Sequence, residues 1–222
     1  MRIVYLLSGP GKTEGFSENI KSYLKKDLKS LKKITFIASS KDNYDKNELF
    51  VYGNNDSITG LKNHLSDIMD IKQINILDSR TNLEDGKKII KDSDVIYLMG
   101  GNPFTQIEYI NDNGYNFLLK DFQGVILGTS AGAMNLAKYS YYSKDEDYEN
   151  SLFYKGLEIV DVTIDPHFDI NNEEQVNEAK EYSKEHKIIG LPNESAVRIE
   201  NDDIKYINKC FLFNSGKMED IN

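Results

Sequence analysis

Five short apolar, largely β-branched runs alternate with longer stretches of helical spacing, and this alternation leaves the chain very few architectures. The runs cover residues 3–7, 34–38, 74–77, 95–99 and 125–127. Between them, Ile20, Leu24, Leu28 and Leu31 recur at helical intervals within 17–31, and Leu61, Leu65, Ile68 and Met69 do so later. Further helices are expected over 83–91, from about 104, and from the glycine-rich turn after the fifth run to about 138. The polar, Asn/Asp-rich residues 41–57 read as a surface excursion. Strand–helix alternation of this kind predicts an α/β fold with a mostly parallel sheet and helices on both faces. Ligand chemistry in such sheets gathers at the carboxyl ends of the strands.

The pattern changes after residue 138. Residues 139–154 are acidic and aromatic and read as a second excursion, and 160–164 alternate like a strand that runs into Asp165-Pro166-His167-Phe168. A charged helix over 172–185 leads to Ile188-Ile189-Gly190-Leu191-Pro192. Residues 196–199 and 204–207 then look like a short antiparallel C-terminal hairpin. Neither a repeat nor a linker interrupts the chain, so residues 1–222 are expected to form a single domain.

Composition narrows the partners. With 39% hydrophobic and 28% charged residues over 222 positions, the chain can bury a core without a disulfide or metal staple. A net charge of −9 argues against nucleic-acid backbones as partners. No apolar run reaches membrane-spanning length, and the apolar part of residues 1–8 is too short for a secretory signal. The single cysteine, Cys210, excludes an internal disulfide and fits a reducing, cytoplasmic setting. Three histidines and one cysteine leave too few ligands for a usual structural zinc site, so no metal is expected.

Gly128-Thr129-Ser130-Ala131-Gly132 is the most informative segment. It has the G-x-S-x-G form between a buried strand and a helix, where a tight turn exposes the serine hydroxyl and the amide of Ala131 points toward a developing oxyanion. Read blandly, it is a strand-to-helix turn rich in small residues. Gly100-Gly101-Asn102, after the neighbouring strand, offers a second source of oxyanion or substrate-binding groups, or else a plain glycine turn. Among the histidines, His64 and His186 read as solvated surface residues. His167 stands at a strand end behind a stiffening proline and is the candidate general base. Asp165, Asp169 and Glu194 are candidates to orient it, and Asn193 could do so by hydrogen bonding alone. The Gly-Lys-Thr of residues 11–13 lacks the first P-loop glycine, whose place Leu6 holds. The acidic run 144–149 reads as a solvated loop.

Taken together and in order, Gly100-Gly101-Asn102-Pro103-Phe104, Gly128-Thr129-Ser130-Ala131-Gly132-Ala133, Asp165-Pro166-His167-Phe168 and Ile189-Gly190-Leu191-Pro192 resemble peptidase family S51, the group of dipeptidase E and cyanophycinase. The resemblance implies a three-layer α/β/α sandwich similar to class I glutamine amidotransferases. It further implies Ser130 as nucleophile, His167 as base, and the amides of Gly101 and Ala131 as oxyanion hole. The reaction implied is hydrolysis of a peptide or isopeptide bond in a short peptide through an acyl-enzyme, without a metal or organic cofactor. Two positions depart from that pattern. Asn193 stands where dipeptidase E carries a glutamate, with Glu194 one residue later, so the third member is Glu194 through a backbone adjustment, or Asn193. The segment after His167 is acidic and lacks the arginine that helps aspartyl dipeptidases select their substrate. Two other readings stand beside the peptidase. One is a non-hydrolytic relative that keeps the elbow for binding or regulation; the other is an α/β-hydrolase-type esterase, whose chain order would be Ser, acid, His.

Overall fold

The computed structural model describes residues 2–10, 15–54, 58–144, 148–201 and 203–221. The chain begins with β1 (Ile3–Leu7), α1 (Glu18–Leu28), β2 (Lys33–Ile37), α2 (Tyr44–Tyr52), α3 (Leu61–Ser66) and β3 (Gln73–Leu77). It continues through α4 (Leu83–Asp92), β4 (Val95–Leu98), α5 (Pro103–Asp112), α6 (Tyr115–Asp121), β5 (Val125–Thr129) and α7 (Ala131–Leu136). The remainder forms β6 (Tyr139–Tyr142), β7 (Leu152–Lys155), β8 (Ile164–Pro166), α8 (Glu173–Tyr182) and β9 (Ile188–Leu191), then β10 (Ala196–Glu200), β11 (Asp203–Ile207), β12 (Cys210–Asn214) and β13 (Lys217–Ile221).

The main sheet has seven strands in the order β11-β10-β1-β5-β4-β2-β3. Its five expected strands run parallel, and the expected hairpin, β10–β11, adds to them antiparallel beside β1. Successive side chains of a strand face opposite ways. Val4 and Leu6 therefore join a core with Ile90, Ile110 and Leu119 of α4, α5 and α6. Ile3, Tyr5 and Leu7 join another with Ile20, Val51 and Leu65 of α1, α2 and α3. Both faces are covered, which is why the central strands are apolar without interruption. The result is the expected α/β/α sandwich.

Asparagines set several helix starts. Asn43, Asn82, Asn102 and Asn172 cap α2, α4, α5 and α8, each side chain accepting from an amide two or three residues on. The cap at Asn43 explains why the expected excursion at 41–57 instead contains a helix. Only Asn47 and Val51 of α2 are buried, so no apolar stripe marks it.

Two further expectations are corrected. Residues 139–154 are no simple excursion, because β6 and β7 pair as an antiparallel hairpin. Its aromatic residues suit a pleated, half-buried surface, and Tyr141 is fully buried. The strand expected at 160–164 forms later, as β8. Val160 is held instead by the end of α7, its amide bonded to Leu136 and its carbonyl to the amide of Lys138. The C-terminal residues 210–221 add a second hairpin, which joins β9 and β8 in a four-stranded sheet of order β13-β12-β9-β8. All six residues of α7 are buried, and its Ala133, Met134 and Leu136 share one core with Leu6 and Ile126 of the main sheet and Ile164 and Leu191 of the smaller one. Among the described residues no helix is long and apolar enough to cross a membrane.

Candidate active site

The elbow is built by close approach. Ser130 leaves β5 at φ 50°, ψ −117°, outside the basins L-residues prefer, and its amide bonds to the carbonyl of Leu7 at 2.9 Å. Its carbonyl accepts from the amide of Met134, which starts α7. A Cβ on Gly132 would fall 2.2 Å from the carbonyl oxygen of Leu98, so only glycine lets α7 approach β4 this closely.

His167 reaches the serine from β8. Its Nε2 lies 2.9 Å from Ser130 Oγ, and its Nδ1 lies 2.7 Å from Asn193 Oδ1. The backbone of His167 is left-handed at φ 58°, and its amide donates to Ser8 Oγ at 2.9 Å. Strain of about 1–3 kcal/mol is typical of such a residue and persists where neighbours fix it. Ser8 directly follows β1, so four strand ends converge here, those of β1, β5, β8 and β9. With Asn193 accepting, Nδ1 carries the proton and Nε2 presents its lone pair to the serine hydroxyl.

The side chain that meets the far nitrogen of the imidazole is thus Asn193, not Glu194. Glu194 is in a left-handed conformation at φ 64°, and its carbonyl accepts from Asn208 Nδ2 at 2.6 Å. Asp165 is fully buried and does not meet the imidazole; it accepts from Ser143 Oγ at 2.9 Å and Gln175 Nε2 at 3.0 Å. Asp169 is exposed and accepts from the amide of Asn171.

The loop after β4 lies against the elbow. A Cβ on Gly100 would stand 3.6 Å from Ser130 Cβ. Ser39 Oγ donates to the Gly100 carbonyl at 2.6 Å. In a trans peptide the next N–H points the opposite way, so this bond turns the Gly101 amide away from Ser39. Gly101 has φ 134°, and a Cβ there would lie 2.2 Å from Ser39 Oγ, so the same hydroxyl demands glycine. Asn102 does not offer its side-chain oxygen to a ligand, since that oxygen caps α5 by accepting from the amides of Phe104 and Thr105.

A polar network braces this loop from below. Gln106 donates to the carbonyls of Met99 and Ile37, and Asn135 donates to Pro103 and to Gln106 Oε1. Ser8, Ser39, Gln106 and Asn135 escaped the sequence reading. Ser8 had one legible signal: it directly follows the carboxyl end of a strand of the parallel sheet, where sites form. The other three are scattered along the chain.

Beside Ser130 opens a hollow of about 230 Å³, bounded by Gly101, Ala131 and His167 and closed by Met134, Tyr142 and Pro166, among others. Asp165 lies behind it. Burial pushes its carboxyl up to about 7, with Glu178 adding to the rise, while the bonds from Ser143 and Gln175 oppose it. An acid that holds its proton more tightly when folded contributes most stability below its unfolded pKa, about 3.9, and loses it as pH rises through about 7. Asp165→Asn is neutral at every pH, so its Tm relative to wild type should be more favourable at pH 8 than at pH 4.5. Thermal denaturation at the two pH values checks this, and a pH-independent difference would refute it.

The other two histidines are less solvated than expected. Burial lowers the pKa of His64, which packs edge-on to Phe16. His186 stacks on Tyr139 and meets Phe153 edge-on. The Gly-Lys-Thr of the apparent P-loop lies outside the described residues, as do residues 145–147 of the acidic run.

A serine at a strand-to-helix elbow, facing a strand-end histidine in a three-layer α/β/α sandwich, defines a class of hydrolase-like folds. Within it the sequence matches peptidase family S51 over residues 4–207, and the chain belongs to that family. No curated protein sequence matches it. Solved structures of peptidases share the fold, among them these two. A candidate peptidase E from Listeria monocytogenes EGD-e is 19% identical, with a TM-score of 0.63 over 93% of this chain and 98% of its own. A peptidase from an acI-B1 Actinobacterium is 16% identical, with a TM-score of 0.68 over 100% of this chain and 94% of its own. The family identifies the protein as a peptidase.

Proposed function

We propose that the protein is a cytoplasmic serine-type peptidase that cleaves short peptides through an acyl-enzyme on Ser130. The observation that carries this reading is the chain of contacts from Ser130 Oγ to His167 Nε2 and from His167 Nδ1 to Asn193. His167 takes the serine proton as Oγ attacks the scissile carbonyl, then delivers it to the departing amine. The amides of Gly101 and Ala131 receive the oxyanion, the first aimed by Ser39 and the second by the start of α7. Water, activated by the same histidine, releases the acyl group. The buried thiol of Cys210, pushed up to about 12 by desolvation, takes no part and suits a reducing compartment.

Asn193 is the one observation that favours a second reading, a binding or regulatory protein that retains the elbow, because an amide cannot stabilise an imidazolium by charge. A fluorophosphonate probe separates the two. Stoichiometric labelling of Ser130 is expected, and an unreactive serine would leave the non-hydrolytic reading standing. The esterase alternative is set aside. The chain order of the contacts is Ser, His, Asn, not Ser, acid, His, and the family is S51.

A further inference from the structure

We propose that the hollow beside Ser130 receives the acyl-side side chain of the substrate and selects an uncharged, largely apolar one, with Met134 and Tyr142 as the residues that read it. This rests on Ser130 being the nucleophile. Met134 stands one turn down α7 from Ser130 and lines the hollow together with Gly101 and Ala131, the residues whose amides are proposed to face the acyl carbonyl. Pro103, Met134, Tyr142 and Pro166 give the hollow apolar walls, Ser143 and Gln175, which also line it, turn their donors to Asp165, and its size suits a single side chain. Tyr142 is itself backed by rings. Phe104 lies 5.6 Å from Tyr142, 5.2 Å from Tyr148 and 5.0 Å from Tyr154, centroid to centroid, and Tyr142 meets Tyr148 at 5.0 Å. This cluster fixes the ring that faces the substrate.

Charge is excluded from both directions. None of the described residues that line the hollow is Lys or Arg. The chain has three arginines, all engaged elsewhere: Arg2 with the carbonyls of Lys120 and Ile159, Arg80 with Asp78 and Glu48, and Arg198 with Asp27 and Glu200. Lys144, next to Ser143, pairs with Glu174 and Glu178. A substrate carboxylate in the hollow would thus be desolvated without a cation. A substrate cation would be desolvated there as well, because among the described residues no carboxylate lines the hollow: Asp165 lies behind Ser143 and Gln175 and accepts from both.

The experiment measures kcat/KM for aminoacyl p-nitroanilides, whose departing group is constant, across leucyl, methionyl, phenylalanyl, aspartyl, glutamyl, lysyl and arginyl substrates. The same preparation is titrated with a fluorophosphonate to count reactive Ser130. Leucyl or methionyl substrates should exceed aspartyl and arginyl ones by at least about 100-fold. Tyr142→Lys places a cation at the hollow and should raise the aspartyl-to-leucyl ratio at least about tenfold. Labelled enzyme that prefers a charged acyl residue, or shows no preference, overturns the specificity while leaving the nucleophile intact. A Tyr142→Lys ratio equal to that of wild type overturns the role of Tyr142. Unlabelled protein without turnover overturns the nucleophile and the specificity together.

Discussion

Ser130→Ala should lower peptide turnover by at least about 10⁴-fold while leaving the fold in place. The substitution removes one oxygen from a half-buried position. The features that shape the elbow stay: the Ser130 amide bonded to Leu7, the approach of Gly132 to Leu98, and the His167 contact with Asn193. Without Oγ the only nucleophile left is water, while the proposed oxyanion donors, the Gly101 and Ala131 amides, remain. The variant is therefore expected to keep a small residual rate and to bind substrate with affinity close to wild type. Alanine at a positive φ costs some stability, as serine does already, so the Tm should move little. Single-turnover kinetics with a dipeptide panel and a thermal melt test both parts. A variant with undiminished turnover would remove Ser130 from the chemistry.

The scaffold was largely legible because its physics is local. Residues 3–7, 34–38, 74–77, 95–99 and 125–127 are covered on both faces, so their apolar runs announced the strands, and the parallel order followed from the helices between them. Ser130 was legible because small residues permit a tight turn around it, and His167 because a proline restricts the backbone before it. What escaped depends on distant partners. Asn47 sits in α2 because Asp78 and the Ser40 carbonyl receive its amide, a reason invisible in a polar stretch. The aromatic run at 139–154 folds as a hairpin because Tyr141 and Phe153 find Tyr182 on α8. Ser39 acts on a loop 61 residues away. The identity of the third side chain turned on a single residue of register at the end of β9, where spacing alone could not choose between Asn193 and Glu194.

That choice carries the second large effect. Asn193→Ala should lower kcat on the order of 10²-fold, because the imidazole loses the acceptor that keeps the proton on Nδ1 and the lone pair on Nε2. Glu194→Gln should change the rate little, since the side chain lost is not the one that meets His167. If Glu194 swings in to complete the triad during turnover, the two results exchange, and the assignment of Asn193 fails. Asn193→Asp adds a charge where only a dipole stood. A carboxylate beside the ring favours the protonated imidazole, so the histidine holds its proton to higher pH. Activity requires the neutral ring, so the acid limb of the kcat/KM profile should move upward by about one unit or more. Above that limb the rate should exceed wild type, because the imidazolium formed in the transition state now faces a negative charge. An acid limb that stays where wild type has it would mean that residue 193 does not govern the ionisation on which the rate depends.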